Sequence, residues 1–219
     1  MNRLLFEKTG DAVYISHLDL MRIFQRCFKR ADLMIWHSQV FSPRAYVSIA
    51  LPLSVGTESH CELLDFEIEN GSVDMETLPQ RLNETLPAGI RVLRAYESTK
   101  KTKLLTYLKA AVTLEYDSGV PERACEELGK LFCRKELLIH KKTKRGETDL
   151  DLRPLISSME LKQISPQEVC ISAVVSAQNP GLNPQLLVQA IETFLPELKP
   201  DFSTVHRLEV YDAEGCVFR

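Results

Sequence analysis

Residues Tyr14–Ala50 read YISHLDLMRIFQRCFKRADLMIWHSQVFSPRAYVSIA. Within this one unit a polar helix start, a basic helix face and a second polar turn follow one another. Leu18, Met21, Phe24, Phe28 and Ala31 recur at helical spacing, while Arg22, Arg26, Lys29 and Arg30 fall on another face, so Leu18–Ala31 is expected to be an amphipathic helix with a cationic side. Ser16, His17 and Asp19 stand at its head, where unpaired backbone N–H groups and the positive end of the helix dipole favour an anion. Ser38, Gln39 and Arg44 flank the next strand turn. Ser16 followed three residues on by Asp19 also fits an N-cap with a first-turn acid. Both roles stay open at this point.

Working outward, the chain repeats one plan. Arg3–Lys8 reads as a strand, with a break at Gly10 and Asp11. Met34–Trp36 and Ala45–Ala50 read as strands around a turn at Ser42 and Pro43, followed by a strand over Cys61–Ile68. Thr77–Leu86 is expected as a helix ended by Pro87 and Gly89, and Ile90–Tyr96 as a closing strand. In the second half, strands are expected over Ala111–Tyr116, Glu136–His140, Glu168–Ala177 and Val205–Tyr211. Helices are expected over Pro121–Phe132 and Pro184–Leu195, with each proline where a first helical turn accepts it.

This order predicts an α+β chain of two tandem ferredoxin-like (split βαβ) units, with antiparallel sheets and helices on one face. The first unit would span 1–98. A basic linker would follow over 99–110, and the second unit would span 111–219 with an insertion at 141–163. Leu152–Leu161 is expected to add a short helix within that insertion.

A helical crossover joins parallel strands, so Thr9–His17 and His37–Arg44 are expected to emerge at the same edge. The matching stretch of the second unit is Lys141–Glu147, KKTKRGE, whose Lys141, Lys142, Lys144 and Arg145 would contact nucleic-acid phosphates. If the units lie side by side, these edges would form one groove. Net charge is −3, so the molecule as a whole is not a general polyanion binder. Its charges are segregated all the same. Lys100, Lys101, Lys103 and Lys109 form one basic run, and Arg134, Lys135, Lys141, Lys142, Lys144 and Arg145 another, while acids gather over 67–76 and 115–127. That pattern fits either a one-sided electrostatic footprint or solvated loops.

The 219 residues are 44% hydrophobic and 26% charged, with no apolar run of membrane-spanning length and no export signal at the start, so a cytoplasmic protein without membrane contact is expected. Six scattered cysteines, without a C-x-x-C pair or a Cys/His cluster at ligand spacing, predict reduced and mostly buried thiols. No metal and no cofactor of the chain's own are expected. No glycine-rich phosphate loop is present. His17 could serve as general acid or base or as a phosphate donor, yet Ser16 and Ser38 lack a base and orienting acid in register. Binding is therefore favoured over catalysis. Phe41, beside Pro43 and near Trp36 and Tyr46, offers a stacking surface for an unpaired base, or is simply core.

The same residues carry a resemblance. SHLDLMR (16–22), RAxL (30–33), SQxFSPR (38–44), SIALPLSVGTES (48–59) and CELLDFE (61–67) resemble the uncharacterised radical S-adenosylmethionine-linked proteins of the DUF2344 type. Their pattern runs S-H-L-D-L, R-A-G-L, S-Q-G-F-N-P-H-P and P-L-G-x-x-S-x-x-E. DLDLRPLI (149–156) and NPQLLVQAI (183–191) resemble the family's second half. The chain departs from the pattern at Val40, Ser42 and Arg44, which stand where it has Gly, Asn and His. The resemblance implies a cobalamin-type radical S-adenosylmethionine enzyme as partner and RNA, tRNA or rRNA, as the molecule modified.

Two functions follow. In the first, the chain is a non-catalytic accessory module that binds RNA or its modifying enzyme through Ser16, His17, Asp19, Arg22, Ser38, Gln39 and Arg44. In the second, it is an RNA-processing or RNA-modifying enzyme with His17 as general acid or base.

Overall fold

In β1 (Asn2–Lys8) Leu4 and Phe6 are fully buried, two residues apart on one face of the pleat. β1 pairs antiparallel with β3 (Thr57–Phe66) on one side and with β4 (Ile90–Glu97) on the other. β2 (Val47–Ile49) pairs antiparallel with the far side of β3, so the order in this unit is β4-β1-β3-β2. α1 (His17–Arg30) lies in the chain between β1 and β2, and α2 (Leu78–Asn83) between β3 and β4. The computed structural model describes residues 1–39, 41, 43–69, 71–143 and 146–219, without the side chains of residues 141–147. The chain divides into two compact units, Met1–Leu104 with Arg219, and Leu105–Phe218. It is an α+β protein, with four α-helices among the described residues. No helix among those residues is long and apolar enough to cross a membrane.

The apolar stripe of α1, Leu20, Phe24, Cys27 and Phe28, and Leu78 and Leu82 of α2 share one buried cluster with Leu4, Phe6, Leu64 and Phe66. Phe24 meets Phe6 edge-on with centroids 4.8 Å apart, and Phe28 meets Phe66 at 4.9 Å. Two contacts set where α1 begins. Buried Lys8 donates to the carbonyls of Val13 (3.0 Å) and Ile15 (2.9 Å). Burial pushes its pKa down, with Glu62 pulling the other way. Gly89, at φ +82°, leaves room for the Thr9–Ala12 turn. A side chain there would collide with the Thr9 carbonyl and come within 2.7 Å of the Ala12 Cβ. Opposed in the β1–β3 register, Arg3 and Asp65 form a buried ion pair at 2.6 Å, and Arg3 also donates to the Lys100 carbonyl at 2.8 Å.

In the second unit β5 (Tyr107–Glu115) pairs with β9 (Glu168–Ser176) and β10 (Phe202–Tyr211), and β8 (Ile156–Gln163) pairs with β9, giving the order β10-β5-β9-β8. Val112 and Ile171, and Leu114 and Val169, are buried cross-strand partners. α3 (Ala124–Phe132) and α4 (Gln185–Phe194) bury Leu128, Leu131, Leu187 and Ile191. β6 (Leu138–Thr143) and β7 (Gly146–Asp151) form a two-stranded sheet of their own.

Several expectations change here. The short helix expected over Leu152–Leu161 is a single 3-10 turn at Arg153–Leu155 followed by β8. Met159 and Leu161 alternate with exposed Ser158, Glu160 and Lys162, which is a strand's period of two, and β9 supplies the ladder. The strand expected over Glu136–His140 therefore belongs to an extra hairpin, and β8 is the sheet's second strand in chain order. β5 also begins at Tyr107, taking 107–110 out of the expected linker. The thiols are not mostly buried as expected: Cys27 and Cys61 are buried, Cys125 and Cys170 half-buried, and Cys133 and Cys216 exposed.

Candidate functional site: the cleft beside the first helix

Beyond α1 the chain folds into a narrow ribbon. Trp36 N–H donates to the Glu67 carbonyl (2.8 Å), Tyr46 N–H to the Trp36 carbonyl (2.8 Å) and Ser38 N–H to the Arg44 carbonyl (3.0 Å), while Arg44 N–H donates to the Ser38 hydroxyl (3.2 Å). His37 and Ala45 bridge antiparallel between these bonds. The Gln25 side-chain amide donates to the Ala45 carbonyl at 3.3 Å and ties the ribbon to α1.

The space on the N-terminal side of that tie is a cavity of about 640 Å³, lined by His17, Met21, Arg22 and Gln25 from α1 and by Ser38, Arg44 and Tyr46 from the ribbon. A second cavity of about 500 Å³ lies on the C-terminal side and shares Gln25, Arg44 and Ala45 with the first. Together they make a cleft along the side of α1.

Of the residues expected at this edge, His17, Arg22, Ser38 and Arg44 line the first cavity together. Ser16 and Asp19 are occupied by the helix start. The Ser16 hydroxyl accepts from Asp19 N–H (3.2 Å) and donates to the Asp19 carboxylate (2.7 Å), and Arg22 pairs with Asp19 at 2.9 Å. The Ser16 hydroxyl and then Arg22 hold the Asp19 carboxyl below the usual carboxylate range. Gln39 is exposed in the ribbon's turn and is not among the residues lining either cavity. Thr9–Val13 faces elsewhere: Thr9 N–H donates to the Gly89 carbonyl, Gly10 N–H to Glu58, and Gly56 N–H to the Val13 carbonyl. Of the Thr9–His17 stretch, His17 at the head of α1 lines the cavity beside the ribbon. Lys144 and Arg145, and the side chains of Lys141 and Lys142, lie outside the described residues.

Charge around the cleft is mostly positive. Arg22 and Lys29 of α1 and Arg44 of the ribbon are its basic lining residues, all exposed, while Arg26 and Arg30 are exposed on α1 without lining either cavity. The Arg22–Asp19 pair is more than half exposed on both sides, so it holds Arg22 weakly and an anion can compete for the guanidinium. His17 is half-buried, and its Nδ1 is occluded without a hydrogen-bond partner among the described residues. Trp36 and Tyr46 meet edge-on with centroids 6.1 Å apart, and Phe41 at the ribbon's tip is fully exposed. Sequence reading missed Gln25, whose signal was a polar side chain at the seam between the apolar and basic faces of α1. Among the described residues no group of three or more His, Cys, Asp or Glu side chains is arranged to hold a metal ion.

Comparison with known proteins supports the DUF2344 part of the resemblance carried by these motifs and says nothing of the radical S-adenosylmethionine link. Residues 2–184 match the family described as uncharacterized protein conserved in bacteria (DUF2344). The chain belongs to that family. A search of curated proteins finds no match. Among solved structures, this DUF2344 protein shares its fold with a chain of a Cbf5-Nop10-Gar1 complex, with TM-score 0.53, 9% identity, and 95% of this chain and 48% of that one covered. It is also similar to a chain of an H/ACA ribonucleoprotein bound to a substrate RNA containing 2′-deoxyuridine, with TM-score 0.50, 9% identity, and 94% and 46% covered. The chain spans about half the length of these solved chains. At such identity the likeness is one of fold.

Proposed function

We propose that this DUF2344 protein is an RNA-binding accessory module that takes an unpaired RNA segment into the cleft between α1 and the 36–46 ribbon and serves a radical S-adenosylmethionine enzyme that modifies that RNA. The convergence of His17, Arg22, Ser38 and Arg44 on one cavity carries this reading. Two guanidinium groups, a hydroxyl and an imidazole suit phosphate oxygens, and Tyr46 with exposed Phe41 suits bases, which stack on aromatic faces whatever their identity. The occurrence of this fold in a ribonucleoprotein bound to a substrate RNA supports RNA as the guest. Lys141, Lys142, Lys144 and Arg145 add phosphate contacts in this reading.

The finer parts belong to the same proposal. Each unit is a ferredoxin-like split βαβ domain, supported by the orders β4-β1-β3-β2 and β10-β5-β9-β8, with the boundary in the chain close to Leu104. The cobalamin-type partner and the cytoplasmic setting come from the family resemblance and the sequence. Catalysis by His17 is the weaker reading, because an imidazole acting as general base needs an acceptor that fixes its other nitrogen, and its Nδ1 has none among the described residues.

Fluorescence anisotropy with single-stranded RNA at stepped salt concentrations tests the proposal. Affinity falls with salt, and Arg22→Ala and Arg44→Ala each remove about 0.7 from the log–log slope, the share of one phosphate. Absence of binding at low salt, or wild-type slopes in both variants, overturns it. RNA modification by the partner enzyme drops when the double variant replaces the wild type, and unchanged modification sinks the accessory role. RNA turnover by the chain alone, lost in His17→Ala, would establish the catalytic reading instead.

A further inference from the structure

The second cavity differs from the first in chemistry. Phe28, Leu33 and Ile35 give it an apolar floor, Lys29 and Arg44 line it with positive charge, and Glu69 is the acid among its described lining residues. Glu69 is exposed, and its position is set by the backbone. Its N–H donates to the Met34 carbonyl at 2.9 Å, and the preceding Ile68 bridges Ile35. The cavity shares Gln25, Arg44 and Ala45 with the one proposed to take phosphate, so a chain whose backbone lies over Arg22 and Arg44 can drop a neighbouring base into it. Its volume, about 500 Å³, falls in the range of small-ligand pockets.

A carboxylate is an acceptor only, and it repels phosphate. The base it welcomes must present donors. Guanine sets N1–H and its 2-amino group side by side, matching the two oxygens of one carboxylate. Adenine and cytosine set a ring acceptor beside their amino group, and uracil flanks its single N–H with two carbonyls, so each of these turns a lone pair toward Glu69. We infer that this cavity is a guanine-reading subsite, with the base lying over the Phe28–Ile35 floor and its Watson–Crick edge held by Glu69. The inference rests on the RNA reading above and adds sequence preference to it.

Oligouridine probes carrying one central guanosine, adenosine or inosine test it in the same anisotropy assay. The wild type binds the guanosine probe about tenfold tighter than the adenosine probe, as expected for one two-bond contact to a base edge. Inosine, which keeps N1–H and lacks the 2-amino group, falls between them. Glu69→Gln loses the guanosine preference, because an amide's paired donor and acceptor match adenine and the O6/N1–H pair of guanine alike, and raises affinity for plain oligouridine slightly, because a charge that repels phosphate is gone. Loss of the preference with oligouridine binding retained is not a consequence of local damage. Equal binding of guanosine and adenosine probes by the wild type, or a guanosine preference that survives in Glu69→Gln, overturns the subsite and leaves the salt-dependent RNA reading standing. No binding of any probe overturns both.

Discussion

The connection from α1 to β2 and the connection from α3 to β8 occupy the same place in their units, and each carries a hairpin: the 36–46 ribbon in the first, β6–β7 in the second. In each, a glutamine amide donates to a hairpin carbonyl at 3.3 Å. Gln25 of α1 holds Ala45, whereas Gln189 of α4 holds the carbonyl of His140. The first hairpin is tied to the helix that begins the crossover and the second to the helix after β9. The charges on the two crossover helices differ too. α1 leaves Arg22, Arg26, Lys29 and Arg30 exposed against Asp19 alone, while α3 neutralises itself through ion pairs of Arg123 and Lys130 with Glu126 and Glu127. One strand order thus supports a cationic cleft in one unit and a self-paired surface in the other. The difference lies in which helix each hairpin rests on and in how that helix spends its charges.

Removing the support of the cleft is the severest way to break this contrast. Phe24→Ala deletes a fully buried ring packed on Phe6 and is expected to cost about 3–5 kcal/mol in urea denaturation. RNA affinity falls with it, because the same helix carries His17, Arg22 and Gln25. Leu128→Ala, equally buried on α3, is expected to cost about 2–5 kcal/mol without touching the cleft residues.

Alkaline pH sharpens the contrast next. Burial pushes Tyr116 up to about 12, and its hydroxyl donates to the Leu198 carbonyl at 2.9 Å. The unfolded phenol ionises near 10, so the stability this group adds is whole below about pH 10 and is lost as pH rises toward 12. Tyr96 in the first unit is also raised by burial, with Arg3 opposing the shift. Denaturation midpoints measured at alkaline pH should flatten more in Tyr116→Phe than in Tyr96→Phe.

The glutamine ties give the most direct comparison. Gln25→Ala and Gln189→Ala each remove one hydrogen bond worth about 1 kcal/mol. Only Gln25→Ala is expected to weaken RNA binding, by a few-fold, since the ribbon then loses its hold on α1. Equal RNA affinities in the two variants would remove the cleft's claim to be the site.

The smallest effect comes from α3. Hydrogen bonds from Arg123 and then Lys130 hold Glu126 down at about 2. Its contribution is present above the ordinary carboxylate range and is lost as pH falls through about 2. A slight acid sensitivity, absent in Glu126→Gln, is the expected outcome in denaturation at low pH.

Much of the first unit was legible because its signals are local. Leu18–Ala31 announced a helix with two faces, and the structure begins it at His17 with Ser16 as cap, as a serine followed by Asp19 should. The order strand, helix, strand led to the expectation of Thr9–His17 and His37–Arg44 at one edge; His17, Arg22, Ser38 and Arg44 line one cavity, while Thr9–Val13 packs elsewhere. The second unit was harder to read. Leu152–Leu161 has apolar residues close enough to imitate a helix, and only pairing with β9 turns most of them into a strand. Gln25 carried no motif, and its value lies in a carbonyl twenty residues away.

What the sequence determined by itself was each segment's period, its caps and the charge on its faces, because those depend on neighbours within a turn or two of the chain. Which helix each hairpin rests against, and whether an acid such as Glu69 ends beside an apolar floor, was decided by the tertiary structure. Such contacts join residues far apart in the chain, and their loop-closure cost is met only when the buried cores that fix them have formed.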